Sequence, residues 1–233
     1  MTRFENLKLW KDPVFRTPAE QMALDEALFD LAVLEGEPIL RCYHWDQHAI
    51  TLGYFSHWET ADEPGTSVRR WTGGGRVEHG EDLTFSLMIP NSEPLSKLKG
   101  PERYTRIHAC MSEALSSTSI DSHLHPETTG SEITVSGPNR CFAAPVASDL
   151  MGPHGNKIAG GAQRRIGGAI LHQGSIRLPL PLRAPKAPWI QQFCLGLSKE
   201  TSDIDEERKD RALSGIEAKL ESRYGLSSWN RLR

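Results

Sequence analysis

The chain has 233 residues, 38% of them hydrophobic and 24% charged, with a formal net charge of −3. That composition can bury a core, and the near-neutral charge argues against general binding to nucleic acid or to an anionic membrane. No apolar run approaches the roughly 18 residues that span a bilayer. The first residues lack the apolar core of a secretion signal and the Arg/Ser-rich, acid-free character of a transit peptide.

Four widely spaced cysteines, Cys42, Cys110, Cys141 and Cys194, form no Cys-x-x-Cys pair. They suit free thiols in a reducing cytoplasm, with neither a zinc knuckle nor a disulfide frame. In chain order, Thr17-Pro18-Ala19-Glu20 reads as a helix start: a capping Thr, a Pro at the first helical position and a Glu completing the box. Met22, Leu28 and Leu31 give an apolar face, and Gly36 and Pro38 end the helix. Asp25 and Glu26 read most simply as its solvated side. Residues 39–43 and 49–54 read as strands joined by a turn around Asp46. His44, His48 and His57 match no zinc spacing and read as loop histidines. Tyr54, Phe55 and Trp58 can line an apolar pocket or pack in the core.

The stretch Arg69-Arg70-Trp71-Thr72-Gly73-Gly74-Gly75-Arg76-Val77-Glu78-His79 holds three glycines, each unfavourable in a regular element by about 0.5–1 kcal/mol against alanine. A glycine-lined bend aims several N–H groups at one anion, and Arg69, Arg70 and Arg76 offer guanidinium forks for a carboxylate or phosphate. The plainer reading is a flexible hairpin with solvated arginines. Neither a Walker loop nor a dinucleotide fingerprint is present. Strands at 68–71 and 83–89 place this bend between strands, and residues 104–115 read as a helix. Residues 116–137 are polar and loop-like. Gly155-Asn156 signals a hairpin turn. Lys157 then opens a strand of small residues, including Gly160 and Ala162, which lets a ligand lie against the backbone while the lysine meets its negative end. Residues 170–176 form another strand, 178–188 a Pro-rich loop, and 202–224 a second long helix with Ile204, Leu213, Ile216, Leu220 and Tyr224 near one face. The pattern predicts an α+β fold with a mixed β-sheet flanked by helices and one domain over 1–233.

Together these stretches resemble the catalytic domain of the lipoate-attachment enzymes, related to biotin protein ligases and to class II aminoacyl-tRNA synthetases in fold. The match is carried by Arg69 to His79, by Lys157-Ile158-Ala159-Gly160-Gly161-Ala162-Gln163 and, loosely, by His172 to Ile176. Residues 22–28 and 52–55 also look like family segments. The resemblance implies that a medium-chain acyl group is placed on a lysine of a lipoyl carrier domain, with Arg69, Arg70, Gly73, Gly74, Gly75, His79, Gly160, Ala162 and His172 around the substrate. A cytoplasmic enzyme with no metal is expected, and the chain reads as lacking the accessory C-terminal domain found in many of the ligases, although some keep it on a separate polypeptide. His79 and His172 are each either a base for the attacking amine or a structural hydrogen-bonder.

Two mechanisms divide the family. A ligase uses lipoate, ATP and Mg²⁺ to make lipoyl-AMP. A transferase takes the acyl chain from a thioester carrier without a cofactor, and one branch holds it on its own cysteine. That branch's pattern is matched by Cys141-Phe142, Pro145, Asp149-Leu150 and Gly155-Asn156-Lys157, which makes Cys141 and Lys157 the catalytic pair. A thiol near Lys157 and Arg140 would carry more thiolate, whereas a free cysteine elsewhere is ordinarily a small buried hydrophobe. The full glycine triplet is more ligase-like, Arg76 is displaced by one position, and Gly80 stands where an acidic residue is usual. The transferase reading is preferred. Its donor is an acyl carrier or lipoyl-carrier protein, and its acceptor a lipoyl domain of a glycine-cleavage H protein or a 2-oxoacid dehydrogenase E2. A non-catalytic binder of lipoate or lipoyl domains is the remaining alternative.

Overall fold

The computed structural model describes residues 3–45, 48–59, 62–126, 145–179, 181–184 and 186–233. In chain order the elements are β1 (Phe4–Lys11), α1 (Pro18–Glu35), β2 (Ile39–Tyr43), β3 (Ala49–Leu52), β4 (Ser67–Arg69), β5 (Val77–His79), β6 (Leu83–Ile89), α2 (Pro94–Lys97) and α3 (Gly100–Ser116). Then follow β7 (His123–Leu124), β8 (Leu150–Met151), β9 (Lys157–Ile166), β10 (Ala169–Ile176), α4 (Pro188–Leu197), β11 (Ser198–Asp203), α5 (Glu206–Ser214), α6 (Ile216–Lys219), a π-helical turn (Leu220–Tyr224) and α7 (Ser227–Asn230). An eight-stranded sheet runs β11-β1-β2-β6-β10-β9-β8-β7, and a separate three-stranded sheet runs β4-β3-β5. The fold is the expected α+β type with a mixed sheet.

The sequence explains the best-formed elements. Thr17 accepts from the Glu20 amide while the Glu20 side chain takes the Thr17 N–H, a full capping box, and Gly36 at φ +72° closes α1 in the left-handed conformation only glycine adopts freely. Along β6, Leu83, Phe85, Leu87 and Ile89 join the core under α3 and α4, with Ile107, Met111, Trp189 and Phe193. Met88, one step out of phase, joins Leu24, Leu28 and Phe29 of α1 on the other side.

Several expectations are revised. The strands at 39–43 and 49–52 do not pair with each other but enter different sheets; Asp46, the expected turn between them, lies outside the described residues. Asp25 and Glu26 are not solvated: both are buried. Asp25 pairs with Arg41 at 2.8 Å, and Glu26 with Lys219 at 2.9 Å and with Arg223. The helix expected over 202–224 begins as an edge strand, restarts at Glu206 and is interrupted at Gly215. β1, α4 and β11 are additional elements. β11 is mostly polar and exposed, and it pairs parallel with β1 about two hundred residues away in sequence, a partnership that no local pattern announces.

Candidate active site

The glycine bend connects β4 to β5, which flank β3 on its two edges. It is held by a turn after β3. The Gly53 amide donates to Gly75 O at 3.2 Å, the Tyr54 amide to Thr72 O at 2.8 Å, and the Ser56 hydroxyl to Gly74 O at 3.3 Å. Gly74 takes φ +81°, and a Cβ on Gly53 would collide with the Gly74 carbonyl. Both positions therefore require glycine. Among the described residues, the amides of Gly73, Gly74 and Gly75 donate to no hydrogen bond.

The three arginines expected at the rim for an anion serve the protein instead. Arg70 donates to Gly73 O and Gly75 O, each at 2.7 Å, and to Thr51 O at 3.0 Å, lashing the bend from inside. Arg69 is fully buried, and its guanidinium donates to the carbonyls of Gly53, Tyr54, Ser56, Trp229 and Asn230. Arg76 pairs with buried Asp62. Of the bend and its arginines, Gly74 and Arg70 line the neighbouring cavity.

This mostly apolar pocket lies between the two sheets. Its floor is one transverse row of the large sheet. Tyr43 is in register with Thr84, Thr84 with Ser175, and Ser175 with Gly160. In-register neighbours share a face, so the row crosses three interstrand gaps, about 14 Å at roughly 4.8 Å each. Thr51, Val77 and His79 of the small sheet line the opposite wall, with Arg70 and Gly74. Met22 and Trp45 also line it, and Tyr43 ends the row. The next row, Arg41, Ser86, Gln173 and Ala162, is sealed by α1: Asp25 accepts from Arg41, Ser86 and Gln173. Gln173 in turn accepts from Thr72 at 2.7 Å, which ties this seal to the glycine bend.

Lys157 lies at the glycine end of the floor. Its Nζ would sit 2.6 Å from a Cβ placed on Gly160, and Gly160 and Gly74 both line the cavity. A hollow therefore lies between the bend and the strand whose first residue is this lysine. Asp149 binds the ammonium at 2.7 Å, accepts the Tyr104 hydroxyl at 2.5 Å and accepts the Val146 amide at 2.7 Å. The Tyr104 oxygen accepts the Gly161 amide at 2.8 Å, beyond the point where β8 stops pairing with β9.

The two candidate bases differ. His79 lines the cavity, stacked on Trp45 at 4.4 Å. Its Nδ1 donates to Asp82 at 2.7 Å and its Nε2 is 2.9 Å from the Thr51 hydroxyl, so both ring nitrogens are engaged. Asp82 also accepts from Ser175 at 2.5 Å and from the Gly80 amide at 3.1 Å. Burial alone would raise this carboxyl, but charge on His79 and the hydrogen bonds from His79, Ser175 and Gly80 bring it down to about 2. Asp82 thus supplies the acid that Gly80 lacks, two positions later; Glu81-Asp82 is visible in the sequence, but its contact with His79 is not. His172 is on the far face of the sheet, behind Gly161. Arg103 donates to Gln163 Oε1 at 2.7 Å, which leaves the Gln163 amide nitrogen facing His172 Nδ1 at 3.1 Å. The imidazole proton is thereby assigned to Nε2. Burial drives His172 well below the usual histidine range, and His108 beside it down to about 4. Burial thus favours the uncharged form of both rings. Cys141 lies outside the described residues. Cys42, Cys110 and Cys194 are buried thiols, and burial raises all three, Cys110 to about 11 and Cys194 to about 12.

Among the described residues, no group of three His, Cys, Asp or Glu side chains is placed to hold a metal ion, and no helix is long and apolar enough to cross a membrane.

Residues 17–187 match the family described as lipoyl protein ligase A/B catalytic domain. The chain is 35% identical over 178 residues to an octanoyltransferase LipM of Staphylococcus aureus, covering 71% of this chain and 62% of that one. It is 35% identical over 187 residues to its Geobacillus kaustophilus counterpart, covering 74% and 66%. The matches thus span less than two thirds of these relatives' length. In fold, the chain is similar to a putative lipoate protein ligase from T. acidophilum with bound lipoic acid, with TM-score 0.73 and 20% identity over 99% of this chain and 100% of that one. It is also similar to a lipoate-protein ligase A bound with ATP, with TM-score 0.68 and 20% identity over 98% of each.

Proposed function

Because the chain belongs to the lipoyl protein ligase A/B catalytic domain family, we propose that it moves an octanoyl (or lipoyl) group through a Cys141 thioester to a lysine of a lipoyl carrier domain. The observation that carries this reading is the floor from Tyr43 to Gly160, with the Lys157 ammonium at its glycine end. An eight-carbon chain of C–C bonds near 1.5 Å spans about 9 Å in zigzag, which fits the row. Burying its methylenes contributes on the order of 5 kcal/mol, at about 0.8 kcal/mol each. The carbonyl end is then at Gly74 and Gly160, the latter beside the Lys157 ammonium, where a backbone N–H and an ammonium suit a developing oxyanion.

The Cys141 thiolate attacks the donor thioester carbonyl and expels the carrier thiolate. The acceptor amine then attacks the new thioester, an amide C–N bond forms, the C–S bond breaks, and the amine proton passes to the departing sulfur. Two facts support this assignment. The three described cysteines are buried with raised pKa values, unsuited to nucleophilic work. Cys141 also precedes Val146, whose amide donates to Asp149, by five residues, a tether of at most about 18 Å. The donor is an acyl carrier or lipoyl-carrier protein; the acceptor is a lipoyl domain of H-protein or E2 type. No cofactor is needed, and a reducing cytoplasm keeps the thiol free.

The glycine triplet favours one second reading, a ligase using lipoate, ATP and Mg²⁺, since three unengaged amides suit a phosphate as well as an acyl oxygen. Incubation with octanoyl carrier and lipoyl domain separates the two. Acceptor acylation without ATP, a hydroxylamine-labile adduct on the enzyme and loss of both in Cys141→Ala are expected. Full activity of Cys141→Ala rejects the covalent role. Acylation only with lipoate and ATP makes the protein a ligase, and none under either condition makes it a binder.

A further inference from the structure

Arg69 is fully buried, yet it has no carboxylate partner among the described residues. A buried guanidinium is tolerable only when its N–H groups all find acceptors. Here those acceptors come from two distant places. Gly53 O at 3.0 Å, Tyr54 O at 3.1 Å and Ser56 O at 2.6 Å belong to the turn that backs the glycine bend. Trp229 O at 3.1 Å and Asn230 O at 3.0 Å belong to α7. The tie is reciprocated: the Arg69 amide donates to Asn230 Oδ1 at 2.9 Å, and the Trp229 indole donates to Arg69 O at 2.8 Å. Asn230 is itself anchored, donating to Tyr224 O at 3.0 Å, and Tyr224 donates to Glu26 of α1 at 2.8 Å.

These C-terminal residues lie outside the segment 17–187 that carries the family match, and they line no part of the cavity. We propose that Trp229 and Asn230 are positioning residues of the acyl-transfer site, acting through Arg69 to fix the turn at 53–56 and hence Gly74 and Gly75. The functional half rests on the transfer reading above. The logic is one of acceptors. Remove the two α7 carbonyls and Nε and Nη2 lose their acceptors together with the cover over them, so water takes their place and the side chain is no longer pinned against the turn. The carbonyls of Tyr54 and Ser56 then lose this donor, and Gly53 O keeps the Ser56 amide at 2.9 Å. The Gly53 backbone, in contact with Gly74 with no side chain between, no longer backs the bend that bounds the cavity at Gly74.

The test compares the full chain with four variants: Asn230→Ala, Trp229→Phe, Arg69→Lys and a chain ending at Ser227. Amide exchange is read at 52–57 and 70–76 against β6 and β10. Exchange in the two loops is expected to rise by about tenfold or more in the shortened chain, and less in the point variants, with β6 and β10 unchanged. Acyl transfer is expected to fall roughly tenfold to a hundredfold through loss of alignment. A synthetic peptide of residues 226–233 should restore both in the shortened chain. Should that chain fail to fold, Arg69→Lys decides on the guanidinium tie, and Asn230→Ala and Trp229→Phe, which keep both carbonyls, decide on the reciprocal bonds to the Arg69 backbone. Unchanged loop exchange, or a rise spread evenly over the whole protein, overturns the proposal. So does raised loop exchange with full transfer. The exchange readout needs no activity, so a parent protein inactive in every acyl assay would reject the transfer reading while leaving the Arg69 tie to stand or fall by itself.

Discussion

Asp149 and Lys157 form an ion pair of 2.7 Å in which both side chains are almost fully shielded, 0% and 3% exposed. The same carboxylate holds Tyr104, which holds the Gly161 amide. The ammonium is therefore fixed relative to the backbone of β9 and does not swing free.

Removing one member leaves the other charge buried, which typically costs about 3–5 kcal/mol. Lys157→Ala should lose acyl transfer by at least about a hundredfold and lower the urea midpoint. Adding Asp149→Asn to Lys157→Ala should recover much of the stability but none of the activity. Urea denaturation of the single and double variants, with transfer rates, checks both halves. An active Lys157→Ala protein removes Lys157 from the site.

Gly160 and Gly53 should respond differently to alanine. A Cβ on Gly160 meets Lys157 Nζ at 2.6 Å and Asp149 Oδ1 at 2.9 Å, both side-chain atoms that can be displaced without moving backbone. Gly160→Ala should fold but misplace the ammonium, so transfer falls more than stability. On Gly53 the new carbon runs into the Gly74 carbonyl, which is backbone and cannot step aside. Gly53→Ala should cost about 1–3 kcal/mol. Thermal midpoints and transfer rates measured side by side would show the contrast.

The neutral histidines set a pH dependence. Burial lowers His108 to about 4, and His172 further below its usual range. Between the unfolded value near 6.5 and the folded value, the unfolded chain binds a proton that the native state refuses. Stability is therefore full above about pH 6.5 and declines as pH falls toward 4, by roughly 3 kcal/mol for His108. Urea midpoints across this range should fall, and His108→Gln should flatten the slope.

Asp82 acts at lower pH. Its folded value near 2 lies below the unfolded carboxylate value, so its contribution is present above about pH 4 and disappears as pH drops toward 2. Asp82→Asn should remove that part of the acid transition and release His79. Acid titration of both proteins by circular dichroism tests it.

How far the sequence could be read depended on whether the information was local. The capping box at Thr17 and Glu20 and the strand opened by Lys157 are short-range patterns, and both stand as read. The bend was found, but the direction of its arginines was not. A guanidinium fork fits a carbonyl as well as a ligand's carboxylate, and the carbonyls of Trp229 and Asn230 lie some 160 residues away from Arg69. Asp25 looked solvated because its neighbours on α1 say nothing of Arg41 and Gln173, which a sheet must first assemble beside it. The same holds for β11, whose polar residues carry no strand alternation and whose pairing depends on β1.

That last pairing bears on biosynthesis. β1 is flanked by β2 on one side and by β11 on the other, so a nascent chain shorter than about 200 residues presents one naked ladder of N–H and C=O groups, a template for unwanted association with another polypeptide. Expression fragments that stop ahead of Ser198 should accumulate as insoluble aggregates even though every residue lining the cavity is already present.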